Sequence, residues 1–317
     1  MFKRVALTLM VAIVAAAAVA VASQAGRSSG AEGGEVDSLF RETTRSSQWQ
    51  LVDRVKLGFD AHHPEGLARV GDRFYLSTVE VIEPTVRCPV PCDGTDRSPG
   101  RGTGWVIEFD TQGRKLREVR VDDGANIYHP GGLDFDGRRL WTAVAEYRPN
   151  KPSIIYSMRP RSLRPRIEFR VPDHIGGIAH DTARQRIVGL NWGSRTAYEW
   201  SPEGRELRSD ENPSHFVDYQ DCKYLTVDDG GERPGMLCGG IADYSFPGGQ
   251  RYELGGLGLV RLPGMEPLHE IPFTQYTPQN HVATRNAMDV EAVGDRLRLY
   301  LVADDDDSEL LVYETGS

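Results

Sequence analysis

The stretches HPEGLARVGDRFYLSTVE, His63 to Glu80, and HPGGLDFDGRRLWTAVAE, His129 to Glu146, align without a gap. Each opens on His-Pro, passes through Gly-Leu into a short apolar run, turns on a glycine beside charged residues, and returns through a second apolar run to a glutamate. Two such runs about a polar turn read as a β-hairpin, and a repeated hairpin is the mark of a repeat architecture. HIGGIAHDTARQRIVGLNWG from His174 follows with a short insertion at its turn. DCKYLTVDDGGERPGMLCGGIAD from Asp221 has a longer turn, and NAMDVEAVGDRLRLYLVADDD from Asn286 restores the Gly-Asp-Arg turn of Gly71 to Arg73.

Two further strand-like runs trail each of the first four hairpins: TGWVIEFD and KLREVRV after the first, SIIYSM and RIEFRV after the second. After the fifth only ELLVYE remains, and WQLVDRVKLG near residue 49 is the strand available to complete it. The pattern predicts an all-β propeller of five four-stranded blades, closed by an N-terminal strand. Six blades would follow if the insertions at Ile82 to Arg101 and Tyr244 to Gly255 hid another unit. A β-sandwich would not generate the repeated block. No segment beyond the N-terminal one shows convincing helical periodicity.

The wider composition agrees. In 317 residues, 34 Gly and 19 Pro favour a turn-rich fold, and 39% hydrophobic content is enough for a large core. Residues 1–25 place Lys3 and Arg4 before an apolar run from Val5 to Ala22 and end on Ser23-Gln24-Ala25, the layout of an export signal. Cleavage after Ala22 or after Ala25 fits, and an uncleaved anchor is the rival reading. Residues 26–45 read as a polar, flexible lead-in, and residues 46–317 as one propeller domain. Cys88, Cys92, Cys222 and Cys238 suit an oxidising, extracytoplasmic compartment. The simplest of three pairings joins Cys88 to Cys92 around CPVPC and Cys222 to Cys238 across a hairpin. The formal net charge of −9 comes with no basic stripe bearing interleaved aromatics, so nucleic acid is not an expected partner. A monomer with no membrane contact beyond the signal segment is expected.

The blocks HPEGL with GDRFYLS and HPGGLDFDGRRLW resemble blade signatures of the gluconolactonase, senescence-marker-protein and strictosidine-synthase-like propellers, and the mature chain resembles exported bacterial propeller proteins. In the lactonase-like branch a Glu-Gly pair opening the first inner strand gives a carboxylate to a central divalent metal, and Glu65-Gly66 matches that position. The family's other ligands, typically Asn and Asp from other blades, have no unambiguous match here.

In a propeller, residues that start the innermost strand of a blade and residues that end the next strand gather at one mouth. The aligned blocks put His63, His129, His174, Asp221 and Asn286 at the starts, and Glu80, Glu146, Gly193, Asp243 and Asp305 at the ends. Imidazoles with carboxylates suit a divalent metal, read as zinc, manganese, iron or calcium, with Glu65, His63, His129, His174, Asp221 and Asn286 as the expected ligands. Glu80, Glu146 and Asp243 are the expected catalytic acid, base or orienting groups. Duplicating a structural residue with its repeat would produce the same coincidence. Lys223 aligns with Glu65; Arg285, Asn280 and His281 precede the last unit. Trp141, Tyr147 and Trp192 are candidate pocket walls, blade packing being the ordinary alternative. Asp304 to Asp307 lack the glycine and final glutamate of a calcium loop.

Two functions follow. One is an exported, metal-assisted hydrolase of a small ester, lactone or phosphoester at the axial mouth. The other is a non-catalytic propeller that binds a glycan, a cell-wall component or a protein through its inserted loops. No Gly-x-Ser-x-Gly elbow, phosphate-cradling loop or dinucleotide fingerprint is present.

Overall fold

The computed structural model describes residues 29–228 and 230–316. The expected export signal, residues 1–25, lies outside the described residues. Among those described, no helix is long and apolar enough to cross a membrane.

Five four-stranded antiparallel sheets form the ring, as the repeat pattern requires. Their innermost strands are His63–Val70, Ile127–Phe135, Ile175–Asp181, Asp218–Asp228 and Ala287–Val293. These begin within three residues of the five aligned block starts. The closing strand is also where it was expected. Trp49–Lys56 pairs antiparallel with Glu309–Thr315 and completes the fifth blade. The insertions hide no sixth blade: Arg87–Cys92 and Thr95–Arg97 make a separate two-stranded sheet, while Glu232–Ser245 and Arg251–Arg261 are lengthened strands of the fourth blade.

Apolar side chains occupy the blade-to-blade interfaces, each of which has its own cluster. Leu67, Phe74, Leu76 and Phe109 meet Tyr300, Val302 and Leu310 between the first and fifth blades. Trp141, Ile155 and Phe169 meet Ile178, Ile187 and Trp200 between the second and third.

One expectation needs correcting. The lead-in is not free of structure: Ser29–Glu42 is a helix, α1, whose Val36 and Phe40 are buried in the cluster between the fourth and fifth blades. Two apolar residues four apart are enough to dock a helix on an existing apolar surface, and they were hidden in a polar stretch. The Asp37 carboxylate accepts from the Asp228 backbone N–H at 2.9 Å and ties α1 to the fourth blade.

The repeated glycines have a spatial cause. A Cβ on Gly131 would lie 1.9 Å from the Gly176 carbonyl oxygen, and one on Gly66 would lie 2.3 Å from the Leu133 nitrogen. Inner strands approach too closely at the axis for any side chain there. Both expected disulfides are present. Cys88 joins Cys92, and Cys222 joins Cys238, its directly opposed partner in the fourth blade.

Candidate functional site

Four of the five inner strands carry a β-bulge near the same end. The register shifts between Pro64 and Gly66, Pro130 and Leu133, Ile175 and Gly177, and Tyr219 and Asp221. A bulge bends the strand and re-aims the extra residue. In the first blade that residue is Glu65, which is buried and meets two imidazoles: its Oε1 lies 2.9 Å from His63 Nε2 and 3.3 Å from His129 Nε2. These three ligand-capable atoms from two blades lie within 4.8 Å of one another.

Each ring has a second fixed contact. His63 Nδ1 is 2.8 Å from Asp305 Oδ1, at the end of the fifth blade's second strand. His129 stacks on Tyr147 with ring centres 4.0 Å apart and planes 11° apart. His174, 6.3 Å from His129 between ring centres, has Nδ1 2.8 Å from the Glu146 carbonyl oxygen. A carbonyl only accepts, so Nδ1 carries the proton and His174 Nε2 keeps its lone pair. Tyr147 and Trp192 stand 5.3 Å apart between ring centres, and Trp192 meets His174 edge-on.

Burial opposes a charge on His63, but Glu65 and Asp305 flank it and raise its pKa to about 9. Burial alone dominates at His174, which falls to about 4. His129 drops well below the usual imidazole range through burial and its two histidine neighbours. Burial pushes Asp305 up, yet its bond to His63 prevails and leaves it below the ordinary carboxylate value.

The other sequence-derived candidates have different employment. Asp221 does not face the mouth. It is fully buried on the axis, where it accepts the backbone N–H groups of Leu67, Leu133 and Met288 at 2.9, 3.0 and 3.0 Å and the Lys223 ammonium at 2.7 Å. Its place relative to the bulge is that of Gly66, not of His63, so the aligned position lies three residues out in this blade. Lys223 consequently pairs with Asp221 rather than with Glu65. Asn286 Nδ2 donates to the Pro64 carbonyl at 2.6 Å and latches the fifth blade to the first.

Glu80 lies one residue past Val79, the partner of His63, and accepts from Trp105 Nε1 at 3.2 Å; alternation along the strand turns it away. The Glu146 carboxylate pairs with Arg148, and only its backbone carbonyl serves His174. Asp243 sits opposite Glu253 on the exposed extension of the fourth blade. Trp141 packs between blades and donates to Asp136, leaving Tyr147 and Trp192 as the mouth's aromatic wall.

Two residues of this region carried no signal in the repeat. Arg97, from the insert, places its guanidinium carbon 4.8 Å from the Trp192 ring centre. Asp93, from the same insert, accepts from Arg148 and Lys151 at 3.0 Å each.

A family model described as "Family of unknown function (DUF6454)" matches residues 35–316. No curated protein matches the chain. Among solved structures, a luciferin-regenerating enzyme is similar at 13% identity over 86% of this chain and 96% of its own, with a TM-score of 0.45. A bifunctional GH43-CE protein of Bacteroides eggerthii is similar at 11% identity over 83% of this chain and 34% of its own, with a TM-score of 0.50. A DUF4221 member from Bacteroides vulgatus is similar at 9% identity over 86% of this chain and 99% of its own, with a TM-score of 0.38. Identities this low speak to fold alone.

Proposed function

Because the chain belongs to DUF6454, a family of unknown function, its chemistry has to be inferred from its own side chains, and we propose an exported, metal-assisted hydrolase of a small ester, lactone or phosphoester. The observation that carries this reading is the convergence of His63 Nε2, Glu65 Oε1 and His129 Nε2. Two imidazole nitrogens with one carboxylate oxygen suit zinc, manganese or iron(II) better than calcium, which prefers an all-oxygen shell. The carboxylate behind His63 matches the usual support of a metal-binding histidine. Burial keeps His129 neutral and ready to ligate.

A cation held there would polarise the substrate oxygen and lower the pKa of water at an open position. The protein's own part is orientation. Asp305 sets the His63 ring, Tyr147 stacks on His129, and His174, kept neutral by burial, presents an unprotonated Nε2 that can accept a hydrogen bond. The resemblance to lactonase-type propellers supports the reading at Glu65 only, since the other donors here are histidines. The two disulfides fit an oxidising compartment, and export is part of the proposal.

Elemental analysis of the signal-free protein before and after chelation, beside His129→Ala, tests it. About one equivalent of metal, lost in the variant together with turnover of a lactone, ester and phosphoester panel, is the expected result. A metal-free wild type that cannot be reloaded, or a His129→Ala variant with full turnover, overturns it.

The insert gives the alternative, a binding propeller, its own support: Ile82, Val86 and Val90 are 46%, 64% and 75% exposed. That reading expects replacement of Val86 to Ser98 by a short linker to abolish ligand capture while the histidine variants bind normally.

A further inference from the structure

The insert of the first blade reaches over two other blades. Its small sheet is clipped by Cys88–Cys92, and Asp93 anchors it to Arg148 and Lys151 of the second blade. From there Arg97 extends to the third blade, where its guanidinium lies against Trp192 with the side chain 19% exposed. Trp192 packs on Tyr147 and His174, and the Arg97 charge is felt at both. Arg97 grips Asp96 through Nε and Nη2, at 2.9 and 3.2 Å, and not through Nη1. Arg285 approaches the same tyrosine from the loop before the fifth blade, 3.4 Å from Asp305.

The charges around this pocket do not cancel once a divalent cation sits on Glu65. The cation, Arg97 and Arg285 then outweigh Glu65, Asp305 and Asp96. Arg148 and Lys151 add nothing to the excess, being balanced by Glu146 and Asp93. An aromatic-walled mouth with surplus positive charge attracts anions, and a guanidinium held over an aromatic ring is preorganised for an oxyanion.

We infer that the substrate of this mouth carries a carboxylate or phosphate group, and that Arg97, delivered by the insert, binds it with Arg285 as the second cation. The inference rests on the metal-dependent reading of the same mouth and adds the substrate class. It also gives the insert a purpose, since specificity then comes from an element outside the repeat while the repeat holds the reactive groups.

Calorimetric titration of the manganese-loaded protein with succinate, inorganic phosphate and neutral succinamide tests it. At least one of the two anions is expected to bind tenfold or more tightly than succinamide, and the tighter of the two identifies the favoured oxyanion. Arg97→Gln is expected to lose at least tenfold of that affinity with unchanged metal content and thermal midpoint. Arg97→Lys, which keeps the charge but not the planar fork, should fall between, and it decides the matter if Arg97→Gln does not fold. Equal binding of succinamide, no binding of either anion, or full anion affinity in the Arg97 variants overturns the inference. Failure of metal loading would instead sink the hydrolase reading, whereas loss of the anion preference in protein that does load metal sinks this inference alone.

Discussion

His63, His129 and His174 share an aligned position but not a chemical state. Asp305 and Glu65 favour a proton on His63, which a metal at Nε2 would have to displace, whereas burial favours the neutral form of the other two. If Asp305 orients a metal ligand, Asp305→Asn should weaken metal affinity 10- to 100-fold, read by competition with a chelator. Unchanged affinity would make that contact merely structural. Asp221 makes the opposite case. Asp221→Ala would strand three buried N–H groups and the Lys223 ammonium and should cost about 3–5 kcal/mol in denaturant unfolding, against little for His129→Ala. Below it on the axis, burial raises Asp289 to about 7 against the opposing pull of Lys223. A carboxyl whose folded pKa is raised stabilises most when protonated, so its contribution is full below about pH 4 and is lost as pH climbs through 7. Asp289→Asn should therefore gain on the wild type steadily from pH 4 to 7 in urea midpoints and run parallel above that. Parallel curves throughout would show that Asp289 titrates normally.

At the scale of the strand, the bulge does the positioning. It places Glu65 on the axis, and the glycines beside it let inner strands touch and make room for the Asp221 carboxylate, 2.8 Å from where a Gly132 Cβ would stand. Gly131→Ala sets a methyl group against the backbone oxygen of Gly176, which no side-chain movement relieves. A loss of about 2–3 kcal/mol or more is expected in thermal or denaturant unfolding. A neutral result would mean that the inner strands can move apart. The two insertions obey no repeat, which is why neither Arg97 nor the small sheet that carries it was visible to the alignment.

At the scale of the molecule, the ring is closed by residues far apart in the chain, Trp49–Lys56 with Glu309–Thr315. Removing everything before residue 57 would also remove α1 and leave the Glu309–Thr315 edge unpaired. Such a truncation is expected to lose its cooperative thermal transition and to aggregate in size-exclusion chromatography, and a monomeric, cooperative product would show that closure is dispensable. Five blades and the two local disulfides were favoured over their alternatives, and the closing strand could be read from the chain, because period-two patterning, turn residues and short cysteine spacings are local. So could the gathering of His63, Glu65 and His129, once the hairpins were aligned. Which polar residues face the mouth could not. A one-residue bulge reverses the side on which a side chain emerges, and Asp221 and Glu80 were misplaced for reasons of register and alternation that only strand pairing records. The docking of α1 and the reach of Arg97 to Trp192 were likewise decided in three dimensions, because each joins segments whose partners lie blades away.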